Sequence, residues 1–267
     1  GLLARLQTAA PASALAAGIA DGELEGLLNA RRIRRMSDYV KLQLAAVTLA
    51  CRDAGLGELG DLAGGFAAIL GSAHGSASYS YTYYEQIVRE GVMFANPMLF
   101  AEGVPNAGAA HISLMLGLKG ACQSVIGTRT AGLDALGLAA MRIAAGDWER
   151  AIIGASEEDS DVVRRAYEHC GLAATAEPAG AFGGEAGFIC AGGAAALVLE
   201  SRAAMEARGG RAIGAIDAIA FGRGDLTLRT GAAARPSAIG VDAHGRSDRA
   251  GFATAAAGVL RRLGSPA

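Results

Sequence analysis

Arg129 stands between Thr128 and Thr130, just before a run of residues whose spacing predicts a helix over Thr130–Ala145. A cation there opposes the positive end of the helix dipole, at a cost of roughly 0.3–1 kcal/mol if exposed. An ion-pair partner or a filled cavity would offset that cost, and a residue with no remaining role would merely tolerate it. Ser124, Thr128 and Thr130 are the hydroxyls nearest this turn. A hydroxyl nucleophile needs a general base within reach. No Ser/His/Asp arrangement and no G-x-S-x-G elbow accompanies them, so Thr128 or Thr130 is expected to serve as the helix N-cap. Cys122 is expected at the start of a strand, buried and inert. His111 falls in the middle of an apolar helix and is expected to be a core histidine with its polar atoms satisfied. The four cysteines, Cys51, Cys122, Cys170 and Cys190, include no C-x-x-C pair, which fits free thiols in a reducing cytoplasm. No metal-ligand cluster and no phosphate-cradling loop stands out. Gly183-Gly184 and Gly192-Gly193 are better explained as turns, so no metal and no cofactor is expected.

These residues need a rigid scaffold, and the composition supplies one. The 267 residues are 52% hydrophobic, 19% charged and 5% aromatic, with a net charge of −2. Such a chain can bury a sizeable core and lacks the basic excess of a nucleic-acid binder. No run of about 18 apolar residues is uninterrupted, so no membrane span is expected. Residues 1–20 show neither the charged start nor the apolar core of a secretory signal, and a cytoplasmic location is expected.

Along the chain, residues 1–30 suggest a short helix and an arm around Leu24–Leu28. The cluster Arg31-Arg32-Ile33-Arg34-Arg35 suggests a solvated turn or, alternatively, a patch for an acidic partner. Ser37 is a plausible cap for a helix over Asp38–Ala54, whose apolar face is Val40, Leu44, Val47 and Ala50/Cys51. Strands are predicted at Phe66–Leu70, Gln123–Ile126, Ala151–Gly154, Phe188–Cys190, Ala194–Leu199 and Ala212–Phe221. Gly192-Gly193 joins the fourth and fifth of these as a hairpin. Further helices are predicted at Tyr79–Glu90, Ala107–Leu116, Ser201–Arg208 and over 249–263, with a loop punctuated by Asn96-Pro97 and Pro105-Asn106. Strands alternating with helices make this an α/β layered chain.

From Pro105 onward the sequence resembles the β-ketoacyl synthases. The resemblance rests on Pro105-Asn106-Ala107-Gly108-Ala109-Ala110-His111-Ile112-Ser113, on Leu116-Gly117-Leu118-Lys119-Gly120, and on Thr130-Ala131-Gly132-Leu133-Asp134-Ala135-Leu136. Ala145-Gly146-Asp147, Ile152-Ile153-Gly154-Ala155-Ser156-Glu157, and Ala196-Leu197-Val198-Leu199-Glu200 follow in the family's order. The resemblance spans residues 31–230 and implies a thiolase-like layered αβαβα fold: a single domain over 1–267, its first half complete and its second half shortened to 231–267.

In that family a cysteine occupies the turn before the helix, where the dipole and free amides favour a thiolate that can accept an acyl chain. Here the family's Cys-Thr-Ser-Gly-Leu-Asp-Ala becomes Arg129-Thr130-Ala131-Gly132-Leu133-Asp134-Ala135, and a permanently protonated guanidinium cannot replace the thiol. Ala191-Gly192-Gly193 stands where an acidic residue usually lies between glycines, and His244 resembles a remnant of the second-half histidines. The resemblance therefore implies a chain-length factor: a non-catalytic subunit that pairs with a catalytic ketosynthase and shapes its acyl tunnel. It would do so in polyketide, aryl polyene or fatty-acid-like synthesis, with the acyl carrier protein docking through the partner. By position in related dimers, His74, Ala77, Ser78 and Tyr81 would set tunnel length, with Met98, Leu99 and Phe100 nearby. Gln123, Ser124, Val125 and Ile126 would pair with their counterpart across the two-fold. Two other readings stay open: a condensing or acyl-transfer enzyme with a displaced nucleophile, and a standalone homodimer that binds an acyl chain or carrier protein.

Overall fold

The computed structural model describes residues 21–24, 26–56, 64–174, 189–217 and 219. Asn29 accepts the Arg31 and Arg32 amides and starts a single turn, α1 (Ala30–Ile33). Arg31, Arg32, Arg34 and Arg35 are exposed around it, as a solvated turn requires. Ser37 then caps α2 (Asp38–Asp53), its hydroxyl accepting the Val40 amide at 3.4 Å. Tyr39, Val40, Leu44, Val47 and Cys51 recur every third or fourth residue and form the buried face of α2.

Four strands form one sheet in the order β2-β1-β3-β4: β1 (Phe66–Ser72), β2 (Cys122–Ile126), β3 (Arg150–Glu157) and β4 (Gly193–Glu200). β1 runs parallel to both β2 and β3, with Ala68 opposite Cys122 and Ala67 opposite Ala151, while β4 is antiparallel to β3. Every residue of β1 is buried, because helices cover both faces and apolar side chains are needed on each. Phe66, Ala68, Leu70 and Ile152 face α2 and α5 (Ala107–Leu116). Ala67, Ile69, Ala151 and Ile153 face α6 (Ala131–Ala144) through Ala135 and Ala139. Small residues bring α6 very close. A Cβ on Gly71 would lie 2.5 Å from the Ala131 carbonyl, and one on Gly132 would lie 2.8 Å from the Ala155 Cβ. The abundance of alanine and glycine is therefore a condition of this contact.

Between β1 and β2 the chain forms α3 (Ala77–Glu90), a 3-10 turn at Val92–Phe94, α4 (Pro97–Gly103) and α5. α4 corrects the expectation of a loop: the Asn96 side chain accepts the Met98 amide at 2.9 Å, and Pro97 occupies the first turn, so Asn-Pro starts a helix. α3 begins at Ala77, ahead of the expected Tyr79. Two predicted strands are also corrected. Ile189 and Cys190 take no strand conformation, since β4 finds its antiparallel partner in β3 and no hairpin across Gly192-Gly193 is formed. The described residues of 212–219 are not a strand either. Ile213, Ile216 and Ile219 are exposed and spaced by three, so they build no alternating face.

Ser201 caps the short α8 (Arg202–Ala207), and α7 (Asp161–His169) lies between β3 and β4 in sequence. The chain divides into two compact units, Gly1–Ala166 with Cys190–Arg211, and Tyr167–Ile189 with Ala212–Ala267. The sheet belongs to the first. In the second, the Leu172 amide donates to the Tyr167 carbonyl at 2.9 Å. Residues 1–20, Phe188, Gly183-Gly184 and everything from residue 220 onward, including His244 and the segment 231–267, lie outside the described residues. Among the described residues, no helix is long and apolar enough to cross a membrane.

Candidate functional site

From β1 the chain passes to β2 on one side, over the face carrying α5, and then to β3 on the other side by way of α6. In open α/β sheets such a reversal leaves a crevice beyond the carboxyl ends of the two diverging strands, and ligands bind there. Here those ends are Ser72 and Glu157.

The Glu157 carboxylate gathers the loop after β1. Its Oε1 accepts the Ser72 hydroxyl at 3.0 Å and the Ala73 amide. Its Oε2 accepts the His74 amide at 3.3 Å and lies 3.1 Å from His74 Nδ1. Ser72 Oγ in turn accepts the Gly75 amide at 2.7 Å. The Ser72 carbonyl accepts the Gly127 amide at 3.2 Å, tying the β1 loop to the turn that carries residue 129.

That turn is held from the helix side by Asp134. The hydroxyls of Thr128 and Thr130 both donate to Asp134 Oδ2, at 2.9 and 2.8 Å. Thr130 is the N-cap residue of α6, as expected, but its side chain accepts no first-turn amide. Both hydroxyls take the donor role instead, because an acidic residue one turn on offers a stronger acceptor. Arg129 is exposed between them.

Below the loop lies a polar seam. Ser37 and Ser76 share a hydrogen bond of 2.7 Å, and the Ser156 hydroxyl donates to the Tyr39 carbonyl at 3.1 Å. Glu158, buried, accepts the Ser78 amide at 2.6 Å. It thereby caps α3, where Ser76 makes no side-chain cap. Burial pushes the Glu158 carboxyl up, against the hydrogen bonds it receives from Ser78 and Tyr39. Burial, then the charge of Glu157, pushes the Tyr39 phenol up to about 12.

The structure brings some of the expected residues together. His74, Ala77 and Ser78 lie at the carboxyl end of β1 and the start of α3, all partly buried. Tyr81 is exposed one turn on, its hydroxyl donating to Glu85 at 3.3 Å. Met98, Leu99 and Phe100 ride on α4, which meets α3 where the Phe100 and Tyr83 rings stand 5.6 Å apart. Gln123, Ser124, Val125 and Ile126 form the outer strand of the sheet, with Gln123 exposed. Cys122 is exposed rather than buried as expected, because β2 is an edge strand. Its thiol still donates to the Ala109 carbonyl at 3.0 Å, and partial burial raises its pKa. His111 pairs with buried Glu102 at 2.9 Å, as a satisfied histidine should. Glu157, Glu158 and Asp134 had not been singled out. No local signal marks the first two, since the groups they hold lie more than seventy residues earlier. Among the described residues, no group of His, Cys, Asp and Glu is arranged to hold a metal ion.

Comparison with known proteins converges on one family. The model of the β-ketoacyl synthase N-terminal domain matches residues 20–204. The 3-oxoacyl-(acyl-carrier-protein) synthase 2 of Vibrio cholerae is 28% identical, the match covering 93% of this chain and 66% of the relative. The chain thus spans just under two thirds of that relative's length. A structure of a type II PKS acyl-carrier protein in complex with its ketosynthase bound to the hexaketide matches with a TM-score of 0.60 at 25% identity, over 72% of this chain and 55% of that one. The ishigamide ketosynthase/chain length factor shares the fold, with a TM-score of 0.54 at 21% identity, over 73% and 52% of the two chains.

Proposed function

Because the chain belongs to the β-ketoacyl synthase family, we propose that it is a chain-length-factor subunit: it carries no nucleophile and pairs with a catalytic β-ketoacyl synthase whose acyl tunnel it shapes. The observation that carries this is Arg129. The turn between β2 and α6, where the family's thiolate would gain from the dipole, reads Gly127-Thr128-Arg129-Thr130 and contains no thiol. A guanidinium stays protonated and forms no acyl ester. The turn itself is intact, anchored by Asp134 and by the Gly127 amide. The support of the nucleophile is kept while its chemistry is gone.

The rest of the proposal follows from the exposed surface. Among the described residues β2 is an outer strand of the sheet, where a partner strand could add. Val88, Val92, Met93 and Phe94 expose apolar side chains beside α4, in the area where a partner would need apolar contact. The pair acts in the cytoplasm on acyl-carrier thioesters of a polyketide, aryl polyene or fatty-acid-like route, and the carrier protein docks on the catalytic partner. His74, Ala77, Ser78 and Tyr81, with Met98, Leu99 and Phe100, border the tunnel.

Co-expression with a cysteine-bearing ketosynthase from the same genome tests the proposal. A stable heteromer is expected, with intact-mass acyl labelling on the partner alone and longer products from His74→Ala or Tyr81→Ala. Labelling of this chain without any partner would overturn it in favour of a condensing enzyme. A homodimer that retains no ketosynthase would favour a standalone binding protein.

A further inference from the structure

α4 docks by its charge and not by its apolar side chains. Its buried residue is Glu102, 7% exposed, whereas Phe100 is 53% exposed. A carboxylate taken out of water destabilises unless it is paired. His111 of α5 pairs with it, Nε2 lying 2.9 Å from Oε1. The carboxylate has no hydrogen to give, so the imidazole donates. Oε2 is buried too and, among the described residues, has no hydrogen-bond partner, so the charge rests on His111. At about 3.6 residues per turn, Phe100 lies roughly 200° round the helix from Glu102. The bond that turns Glu102 inward therefore turns Phe100 outward. There it meets α3: the Phe100 and Tyr83 rings stand 5.6 Å apart, and Tyr83 and Tyr84 meet edge to face at 5.3 Å. Tyr84 is 63% exposed, so the three rings form an aromatic cluster partly open to solvent. The Ser80 hydroxyl, donating to the Gly103 carbonyl at 3.0 Å, steadies the far end of α4.

We propose that Glu102 is a positioning residue whose hydrogen bond to His111 fixes the rotation of α4. The aromatic cluster it completes, Phe100 with Tyr83 and Tyr84, is the anchor on which the catalytic ketosynthase docks. The proposal rests on the chain-length-factor reading and names the contact that holds the partner. Aromatic rings carry much of the energy of a protein interface, because each buries a large apolar area at a small cost in side-chain freedom. Val92, Met93 and Phe94, on the chain that joins α3 to α4, are exposed as well and give the partner further apolar surface. An apolar residue at position 102 would hold α4 by area alone and leave its rotation loosely set. A hydrogen bond is directional and sets it.

Two measurements decide it. In the chain alone, amide hydrogen exchange over residues 97–104 reports how firmly α4 is held. Glu102→Gln, whose amide oxygen still accepts from His111, should exchange close to the wild-type rate. Glu102→Leu fills the volume without the bond and should exchange faster by about tenfold to a hundredfold, the worth of a hydrogen bond to a charged group. Leucine as protective as glutamine overturns the positioning role without recourse to a partner. With the co-expressed ketosynthase, the subunit dissociation constant is measured for Phe100→Ala, Glu102→Leu and the double variant. Phe100→Ala should weaken the pair by roughly thirtyfold, as the loss of an anchor does. Glu102→Leu should weaken it less, and the double variant should match Phe100→Ala, because both act through one ring. Phe100→Ala binding as tightly as the wild type overturns the anchor, and additive losses overturn the coupling. Self-association of the wild-type chain that Phe100→Ala abolishes assigns the cluster to a second copy and overturns the choice of partner. If the wild-type pair never forms, the subunit reading and the anchor fall together, while the exchange result still decides the role of Glu102.

Discussion

Removing Asp134 should cost stability in a pattern that only the observed hydrogen bonding produces. Its Oδ2 accepts the hydroxyls of Thr128 and Thr130 at 2.9 and 2.8 Å. A hydrogen bond to a charged group contributes about 1.5–3 kcal/mol when shielded. Thr128 is exposed and Asp134 only partly buried, so each bond here is discounted to about 0.5–1 kcal/mol. A carboxylate in the first turn adds about 0.3–1 kcal/mol through the dipole, and the better helix propensity of alanine returns about half a kcal/mol. Asp134→Ala should therefore destabilise by about 1–2.5 kcal/mol, and Thr130→Val by about 0.5–1 kcal/mol. Because the two residues share one bond, the double variant should fall short of additivity by about 0.5–1 kcal/mol. Urea unfolding followed through Trp148 measures this. It is the only tryptophan of the chain and packs against the cluster that contains Ala135 and Ala139. Had Thr130 capped the helix by accepting an amide, its loss and that of Asp134 would simply add, and additive costs would refute the assignment.

Glu158→Gln should change the acid side of the stability curve. Burial raises the Glu158 pKa, so the folded state favours the protonated form. The stability this brings is complete below the ordinary value of 4.5 and fades as pH rises through the folded pKa. The glutamine variant should gain on the wild type across that window and keep its advantage at neutral pH; a constant difference in urea midpoints at every pH would count against it. Tyr39→Phe acts at the alkaline end. With the phenol pushed up to about 12, wild-type stability from protonated Tyr39 is lost as pH rises from 10 toward that value, and the variant should lack this slope in alkaline unfolding titrations. Phe66→Ala empties a fully buried site and leaves the Arg150 guanidinium, 5.9 Å from the ring centre, without its aromatic face. A cost of about 3–5 kcal/mol in urea unfolding is expected.

Much of the fold was legible because its signals are local. The capped start at Ser37, the apolar runs of β1 and β3 and the helix before Gly117 stand in the sequence and recur in the structure. Elements that depend on distant partners were less visible. β4 pairs with β3 across about forty residues, so a glycine pair next to it suggested a hairpin that does not form. Asn96-Pro97 is compatible with a turn or a helix start, and only the closed hydrogen bond to Met98 decides. At the candidate site, Arg129 could be located because it interrupts a recognisable run. Glu157 and Glu158 could not, since each gains its role from groups more than seventy residues earlier. An acidic residue after a strand looks the same whether it meets water or a loop brought over it by folding.

The close approach of α6 to β1 and β3 separates the tolerance of neighbouring positions to mutation. Gly71 and Gly132 admit no added carbon without displacing backbone or Ala155, so substitutions there damage the whole layer. Three residues before Gly132, position 129 is exposed on a turn held by Asp134 and by the Gly127 amide, outside that close contact. The demand for small residues thus falls on the packed layer and not on the turn above it.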